Sequence, residues 1–226
     1  MSIESAATIA EQVEQVKAAS ATQLPAEVGR AFAAEQAALD AAGVPLETIA
    51  VGDEMPQFAL PDATGQIRTL AELTAAGPAV IVFYRGGWCP FCNVALRSYQ
   101  RDLLPQLSAR GATLVAISPE TPDASLSTSE KAALAYTVLS DEGAQLAGEL
   151  GITFNPQETT IEAQRALGLD IRDTRADAGT ALPMPTVLIV DEQQVVRFVD
   201  IHPDYTSRTE VDAIVSALDA IVPAGR

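Results

Sequence analysis

Cysteine and histidine are scarce in this chain of 226 residues, which has two cysteines, Cys89 and Cys92, and one histidine, His202. Structural zinc sites are tetrahedral, and their four ligands are mainly cysteine and histidine side chains. Three such residues are too few, and the acidic residues form no cluster at metal-ligand spacing. The sequence therefore predicts neither a metal site nor a bound cofactor. We interpret His202 as a solvated loop residue without a chemical role.

Basic residues are also few. The chain has 14 Lys and Arg residues against 30 Asp and Glu residues, which gives a net charge of -16. Negative charge of this size repels the phosphates of nucleic acids and anionic lipid surfaces. The segment Arg85-Gly86-Gly87, a sequence typical of RNA-binding boxes, is therefore interpreted as a turn. Nucleic acids and membranes are not expected among the partners of this chain.

Long hydrophobic runs are missing as well. No run approaches the roughly 18 consecutive apolar residues that predict a membrane-spanning helix. Near the N-terminus, Glu4 and Glu11 stand where a secretion signal needs a basic start and an apolar centre. We therefore expect the protein in the cytoplasm, where a Cys-x-x-Cys pair is usually catalytic.

Hydrophobic residues make up 48% of the chain and charged residues 19%, which is typical of a globular protein. The composition predicts a helical N-terminal extension at residues 1–50 and an α/β domain at residues 51–226. We expect the extension to pack on the domain as a structural cap, or on a partner subunit, as in a homodimer. Its apolar residues follow two helical stripes around a break at Leu24-Pro25: Ile3, Ala6, Ile9, Val13 and Val16, then Val28, Phe32, Ala33 and Leu39.

The most informative stretch is residues 79–99, which contains both cysteines. Residues 79–84 form an apolar run rich in β-branched and aromatic side chains, which is typical of a strand buried on both faces. After the Arg85-Gly86-Gly87 turn, apolar residues recur at the spacing of one helix face, at Cys92, Leu96, Tyr99 and Leu103. The pattern predicts a strand, a turn and a helix, with Cys89 at the helix N-terminus.

This placement gives the two cysteines a chemical role. A helix N-terminus favours negative charge, and the reactive form of cysteine is the thiolate, so we predict Cys89 as the nucleophile. Pro90 suits the first helical turn, which has no use for the missing N–H. Residues three apart on a helix have Cβ atoms about 5–6 Å apart, so Cys92 can reach Cys89 to form a disulfide. A purely structural disulfide is disfavoured, because so small a loop constrains the unfolded chain little.

The rest of the domain alternates predicted strands and helices. A turn at residues 62–65 joins short strands at 57–60 and 66–69, which predicts a hairpin. Pro185 opens a buried strand, where proline is tolerated only at a first or edge position, and it is a candidate for a cis peptide bond. Residues 153–182 are interpreted as an insertion with a helix at 161–167. Further strands are predicted at 112–118, 137–139, 185–190 and 195–201, and helices at 130–135, 143–150 and 207–221.

Four segments together resemble the AhpC/TSA peroxiredoxin family of the thioredoxin superfamily, namely VGDEMPQFALPDATG, PAVIVFYRGGWCPFCNVAL, LVAISPE and TVLSDEGAQLAGELGI. The resemblance covers roughly residues 51–220 and is strongest to the branch with the WCPFC motif and a segment like residues 202–206. It implies a thioredoxin-like α/β fold, with a central mixed sheet flanked by helices and a hairpin at its start. It also implies a thiol-dependent antioxidant oxidoreductase, in which a thiolate at Cys89 reduces peroxide and an external thiol, thioredoxin-like or of low molecular weight, regenerates it.

The chain differs from the usual family pattern at two places. Peroxiredoxins usually have a proline seven residues and a threonine or serine three residues before the reactive cysteine, where this chain has Val82 and Gly86. They also place an arginine near the strand at Thr186. Here Met184-Pro185-Thr186 resembles instead the cis-proline loop of thioredoxins and glutaredoxins.

Two functions therefore remain open from the sequence. In the first, Cys89 attacks a hydroperoxide, becomes a sulfenic acid and is resolved by Cys92, with Arg85 or backbone amides of the turn binding the oxygen. In the second, Cys89 attacks a protein or low-molecular-weight disulfide and Cys92 releases the mixed disulfide, with Pro185 shaping the groove. Trp88 is expected to shield the sulfur in both. A redox-dead binding protein is a third alternative.

Overall fold

The structure is a computed structural model, and it describes residues 7–221 apart from the side chain of Lys131. Ile3 and Ala6 of the first predicted stripe lie outside the described residues. No helix within the described residues is both long and apolar enough to cross a membrane.

The helices are α1 (Ile9–Gln23), α2 (Ala26–Ala42), α3 (Leu70–Thr74), α4 (Pro90–Ser98), α5 (Leu104–Ser108), α6 (Pro122–Ala132), α7 (Gln145–Glu149), α8 (Glu158–Ala166) and α9 (Val211–Ile221). A π-helical turn at Tyr99–Leu103 joins α4 to α5, and short 3-10 turns lie at Glu142–Ala144 and Ile171–Thr174. The strands are β1 (Ala59–Pro61), β2 (Ile67–Thr69), β3 (Ala79–Phe83), β4 (Thr113–Ser118), β5 (Thr137–Ser140), β6 (Thr153–Phe154), β7 (Leu182–Pro183), β8 (Thr186–Val190) and β9 (Val196–Ile201).

Five strands form a mixed central sheet in the order β5-β4-β3-β8-β9. β4 pairs parallel with β3 and with β5, as expected of strands joined by helical crossovers. β8 pairs antiparallel with β3 and with β9. The predicted mixed sheet flanked by helices is confirmed, and its central strand, β3, leads directly into the turn before Cys89.

Strand β3 is buried along its whole length because it faces a core on each side of the sheet. Side chains of a strand alternate between the two faces. Val80 and Val82 pack with both cysteines, α1 and α9 on one face. Ile81 and Phe83 pack on the other face, in a core with α3 and α7. The cysteine pair therefore lies in the hydrophobic core and not at its surface.

Several predicted elements are confirmed with different bounds. The hairpin is present as the antiparallel strands β1 and β2, and the helix predicted at 161–167 is α8. The helix predicted at 130–135 is wrong in extent: α6 begins at Pro122, in the first-turn position that suits proline, and Ala133 ends it with a φ of 51°. The helix predicted at 207–221 begins only at Val211.

The two N-terminal helices pack on the domain that follows them. Ile9, Val13 and Val28 of the predicted stripes are buried. Ala33 is exposed, and Glu35 is buried instead, where its carboxylate accepts a hydrogen bond from the backbone N–H of Gln157 ahead of α8, at 2.8 Å. A buried carboxylate that caps a helix is not visible in a hydrophobic pattern, which explains this difference.

The N-terminus of α1 is capped from the far end of the chain. The carboxylate of Glu210 accepts hydrogen bonds from the backbone N–H groups of Ile9, at 3.0 Å, and Ala10, at 2.8 Å. A negative charge at this place satisfies free amides and interacts favourably with the helix dipole.

We expect Glu210→Gln to destabilise the docking of α1 by about 1 kcal/mol, because the amide keeps one acceptor but loses the charge. Hydrogen exchange of the α1 amides measures this directly. Glu14→Gln is the matched control, since Glu14 bonds only the exposed Lys17 and should change stability by less than about 0.5 kcal/mol. Equal exchange rates in the two variants would contradict the capping role of Glu210.

Candidate active site

The two cysteines lie at the start of α4, where the sequence places them. Cys89 is the N-cap residue, Pro90 follows in the first turn, and Cys92 lies one turn further along. Both thiols are free. The Cys89 side chain makes no capping hydrogen bond to the first-turn amides. The helix N-terminus therefore positions Cys89 without binding its sulfur.

The turn before Cys89 has room for glycine only. A Cβ atom on Gly86 would lie 2.3 Å from Nε1 of Trp88, and a Cβ atom on Gly87 would lie 1.9 Å from Oγ1 of Thr128. The backbone N–H of Gly87 donates to the Glu120 carboxylate at 2.8 Å. The threonine or serine that the family resemblance leads one to expect at position 86 is thus excluded by the position of Trp88.

A buried arginine from the other end of the chain meets the cysteine pair. Nη2 of Arg208 lies 3.1 Å from Sγ of Cys92 and 4.0 Å from Sγ of Cys89. Its Nη1 donates to the backbone carbonyl of Tyr205 at 2.6 Å. Arg208 was not predicted as a site residue. The sequence predicted it in the first turn of a helix, and no local signal indicates that its side chain reaches the cysteines.

The charges around the pair favour one thiolate. Burial raises the pKa of both thiols, because a charge is poorly solvated there. At Cys92 this effect is outweighed by the hydrogen bond from Cys89 and by the positive charges of Arg208 and Arg85, so the pKa of Cys92 lies well below its ordinary value. Burial, and next the hydrogen bond to Cys92, raise the pKa of Cys89 well above its ordinary value.

This result corrects the expectation that the charge of the resting pair lies on Cys89. Arg208 is closer to Cys92, and no first-turn amide binds the sulfur of Cys89. The thiol of Cys89 therefore donates its proton toward the thiolate of Cys92. The pair titrates as one unit, with a single negative charge held between two sulfurs and a guanidinium.

Arg85 is held beside the pair by aromatic rings. Its guanidinium carbon lies 4.2 Å from the ring centre of Tyr205, 5.0 Å from that of Trp88 and 5.7 Å from that of Phe154. The side chain is buried, and its Nε has no hydrogen-bond partner. Cation–π contacts of this kind stabilise a desolvated guanidinium without neutralising it. Arg85 thus adds positive charge near both sulfurs. The indole ring of Trp88 lies against the guanidinium of Arg85.

Pro185 lies next to Cys92 in the lining of a small cavity. The peptide bond before Pro185, a candidate for the cis form, is trans, which is the commoner state of such bonds. Pro185 immediately precedes β8, and its carbonyl accepts a hydrogen bond from the backbone N–H of His202 at 2.9 Å. Together with Cys92, Tyr99 and Arg208 it lines a cavity of about 10 Å³, roughly the space of one water molecule.

Neither sulfur is open to solvent, since Cys89 is 1% exposed and Cys92 0% exposed. Helix α2 packs near this site, since its Leu39 lies against the same apolar cluster, around Met184 and Tyr205, as Trp88 and Phe91. Tyr205 connects α2 to the segment after β9, because its hydroxyl donates to the carbonyl of Phe32 at 3.2 Å. The pair is therefore closed to large substrates in this conformation.

Metal ligands are not grouped within residues 7–221, where no three His, Cys, Asp or Glu side chains lie close enough to hold an ion. The imidazole of His202 is instead bound by hydrogen bonds to Ser207, Asp200 and Thr209, near Arg208. The interpretation of His202 as a solvated loop residue is therefore wrong, because the segment after β9 folds back over it.

Residues 51–199 match the family model described as the AhpC/TSA family. The chain is 32% identical over 104 residues to the chloroplastic peroxiredoxin Q of Gentiana triflora, which covers 46% of this chain and 47% of that protein. It is also 32% identical over 108 residues to peroxiredoxin Bcp of Escherichia coli K12, covering 47% of this chain and 67% of that protein. The matches thus span about half to two thirds of the length of these relatives.

Solved structures show the same fold. Peroxidoxin BcpB of Mycobacterium tuberculosis is similar with a TM-score of 0.59 at 24% identity, over 76% of this chain and 97% of that chain. A peroxiredoxin-like protein of Aquifex aeolicus is similar with a TM-score of 0.59 at 16% identity, over 77% of this chain and 89% of that chain. The predicted thioredoxin-like fold is confirmed.

We expect Arg208→Met to raise the lower apparent pKa of the cysteine pair by about 1–3 units, because removal of the cation disfavours the thiolate. Less thiolate is then present at neutral pH. Thiolate absorbance at 240 nm, followed against pH in the reduced protein, measures the change. Arg197→Met is the control, since Arg197 pairs with Asp191 at 2.6 Å. An unchanged titration in Arg208→Met would show that Arg208 does not stabilise the charge.

Proposed function

Because the chain belongs to the AhpC/TSA family, we propose that it is a thiol-dependent peroxidase, in which Cys89 reduces a hydroperoxide and Cys92 resolves the product. The observation that carries this proposal is the buried pair itself. Two thiols on one helical turn share a single negative charge that Arg208 holds at 3.1 Å. Such a charge is costly to bury and has a clear chemical use in a redox centre.

The first step is attack on the peroxide. The thiolate of Cys92 accepts the proton of Cys89, and the sulfur of Cys89 attacks the terminal oxygen of the hydroperoxide. The O–O bond breaks, Cys89 becomes a sulfenic acid, and the alkoxide that leaves takes up the proton to give an alcohol. Cys92 is thereby returned to the thiolate. General-base help of this kind is typically worth about 10²–10⁴ in rate.

The leaving oxygen needs hydrogen-bond donors, because negative charge develops on it. The hydroxyl that peroxiredoxins usually carry three residues before the cysteine is replaced by Gly86. Arg208, whose Nη2 is already within 4.0 Å of the sulfur of Cys89, supplies N–H donors and a full positive charge in its place. Donors fixed in a dry site stabilise such a charge strongly.

In the second step the thiolate of Cys92 attacks the sulfur of Cys89. A disulfide forms and hydroxide leaves, so that one peroxide has oxidised two thiols. An external thiol, thioredoxin-like or of low molecular weight, then reduces the disulfide by exchange. Its attack requires a local opening of the structure around the pair, because both sulfurs are buried. We also infer a cytoplasmic location, because thiol reductants of this kind are abundant there. A homodimer remains a prediction.

The second candidate function is thiol-disulfide exchange on a foreign disulfide. Pro185 favours it, since it lies beside Cys92 in the lining of the small cavity, as expected of a residue that shapes a substrate groove. The burial of both sulfurs favours peroxide instead, because hydrogen peroxide has only two heavy atoms and needs far less space beside the pair than a disulfide substrate. Exchange is therefore expected only when the structure around the pair opens, and we expect α2, which packs on the neighbouring cluster, to be the segment that moves.

We expect Cys89→Ser to abolish the reaction of the reduced protein with hydrogen peroxide, and Cys92→Ser to retain one turnover, slower by a factor of about 100 because the base is lost. Stopped-flow measurement of a single turnover gives both rates. In Cys92→Ser the product should be a stable sulfenic acid, trapped by a 1,3-dicarbonyl reagent and identified by mass spectrometry. Equal loss of activity in both variants, with nothing trapped at Cys89, would contradict this order of attack.

We expect Gln36→Ala to speed reaction with a small mixed disulfide about tenfold and to leave the peroxide rate within twofold. Gln36 lies on α2, and its amide bonds the segment after β9 at both ends: it donates to the carbonyl of Pro203 at 3.4 Å and accepts from the backbone N–H of Tyr205 at 3.3 Å. Loss of two hydrogen bonds, worth about 1 kcal/mol or less each, should raise the population in which α2 is displaced by about tenfold. Gln15→Ala, on the exposed face of α1, is the control. An unchanged disulfide rate would show that α2 does not limit access.

A further inference from the structure

We propose that His202 is a positioning residue that holds Arg208 against the cysteine pair. The imidazole binds both residues that flank Arg208 in the sequence. Nδ1 of His202 lies 2.7 Å from Oγ of Ser207, and Nε2 lies 3.3 Å from Oγ1 of Thr209. A side chain bonded to both neighbours of a residue restricts the backbone from which that residue extends. The proposal rests on the proposed redox role of the pair.

The imidazole is itself fixed by the sheet. Nε2 also lies 3.0 Å from the carboxylate of Asp200, which belongs to β9. A ring nitrogen that faces a carboxylate carries the proton, so Nε2 donates to Asp200, and Nδ1 accepts from the hydroxyl of Ser207. The hydrogen bond from His202 lowers the pKa of Asp200. These contacts connect β9 to the segment that carries Arg208.

Regular secondary structure does not fix Arg208, because residues 202–210 form neither helix nor strand. Side-chain bonds do this instead. The backbone carbonyl of Thr209 accepts a hydrogen bond from the hydroxyl of Tyr99 at 2.8 Å. On the other side, the backbone N–H of Ser207 donates to the carbonyl of Asp204 at 2.9 Å, and its side chain is held by His202. A functional group is held precisely only when its supporting residues are themselves locked.

The precision matters because Arg208 makes unequal contacts with the two sulfurs, at 3.1 Å to Cys92 and 4.0 Å to Cys89. The difference of less than one ångström favours negative charge on Cys92, the nearer sulfur. A shift of the backbone at Ser207 moves the guanidinium relative to both. His202 therefore influences the thiolate without touching a sulfur.

A double-mutant cycle tests the proposal in the full chain. His202→Ala, Arg208→Met and the double variant are titrated by thiolate absorbance at 240 nm. We expect His202→Ala to raise the lower apparent pKa of the pair by about one unit, which is a tenfold loss of thiolate below that pKa, and Arg208→Met to raise it further. The double variant should match Arg208→Met alone, because His202 acts only through Arg208.

Conservative replacements separate positioning from a general effect on folding. Asparagine places its amide near the position of Nδ1 and glutamine near that of Nε2, so His202→Asn keeps the bond to Ser207 and His202→Gln the bonds to Asp200 and Thr209. Each should show a smaller shift than His202→Ala. Ser207→Ala removes only one hydroxyl, so it decides the question if His202→Ala fails to fold, and it should shift the pKa in the same direction.

Three results would overturn the proposal: an unchanged titration in folded His202→Ala, a shift in His202→Ala that adds fully to that of Arg208→Met, or, where His202→Ala does not fold, an unchanged titration in Ser207→Ala. Because thiolate absorbance needs no peroxide and no reductant, these measurements stand apart from the proposed peroxidase activity. If the peroxidase test fails and the cycle is non-additive, His202 still positions Arg208. If the peroxidase test succeeds and the cycle is additive, only the positioning role is lost.

Discussion

The site depends on a buried ion pair between the guanidinium of Arg208 and the thiolate shared by Cys89 and Cys92. A thiolate in a site with no solvent exposure needs a cation beside it, and a guanidinium there needs an anion, strong acceptors or aromatic rings. Arg208 meets both conditions, since it contacts the sulfur of Cys92 and the backbone carbonyl of Tyr205. The thiolate and the guanidinium therefore stabilise each other in the core.

The same segment links this ion pair to the N-terminal helices. Tyr205 bonds the backbone of α2, and Glu210 caps α1, while Arg208 lies between them in the chain. The N-terminal helices, which hold no residue of the redox pair, thus pack on the residues that support its charge. Helix α2 is held on this segment by side-chain hydrogen bonds of Gln36 and Tyr205 that can be broken one at a time.

The departures from the usual peroxiredoxin pattern form one consistent set. Trp88 occupies the space in which a side chain at position 86 would lie, so the usual threonine or serine is sterically excluded. The same indole contacts the guanidinium of Arg85. Hydrogen-bond donation toward the reacting sulfur therefore comes from arginine rather than from a hydroxyl. Replacement of a neutral donor by a cation also lowers the cost of the buried thiolate.

The sequence by itself determined the elements whose signals are local. The apolar run before Arg85, the glycine turn and the helical spacing from Cys92 predicted β3, the turn and α4, because each signal lies within about ten residues of the structure that it specifies. The charge on the pair and the hydrogen bonds of His202 were decided by tertiary structure. Arg208 lies 116 residues from Cys92 in the chain, and no periodicity connects them. Only the packing of β9 against β8 brings the segment after β9 over the start of α4, and the electrostatics of the pair follow from that contact.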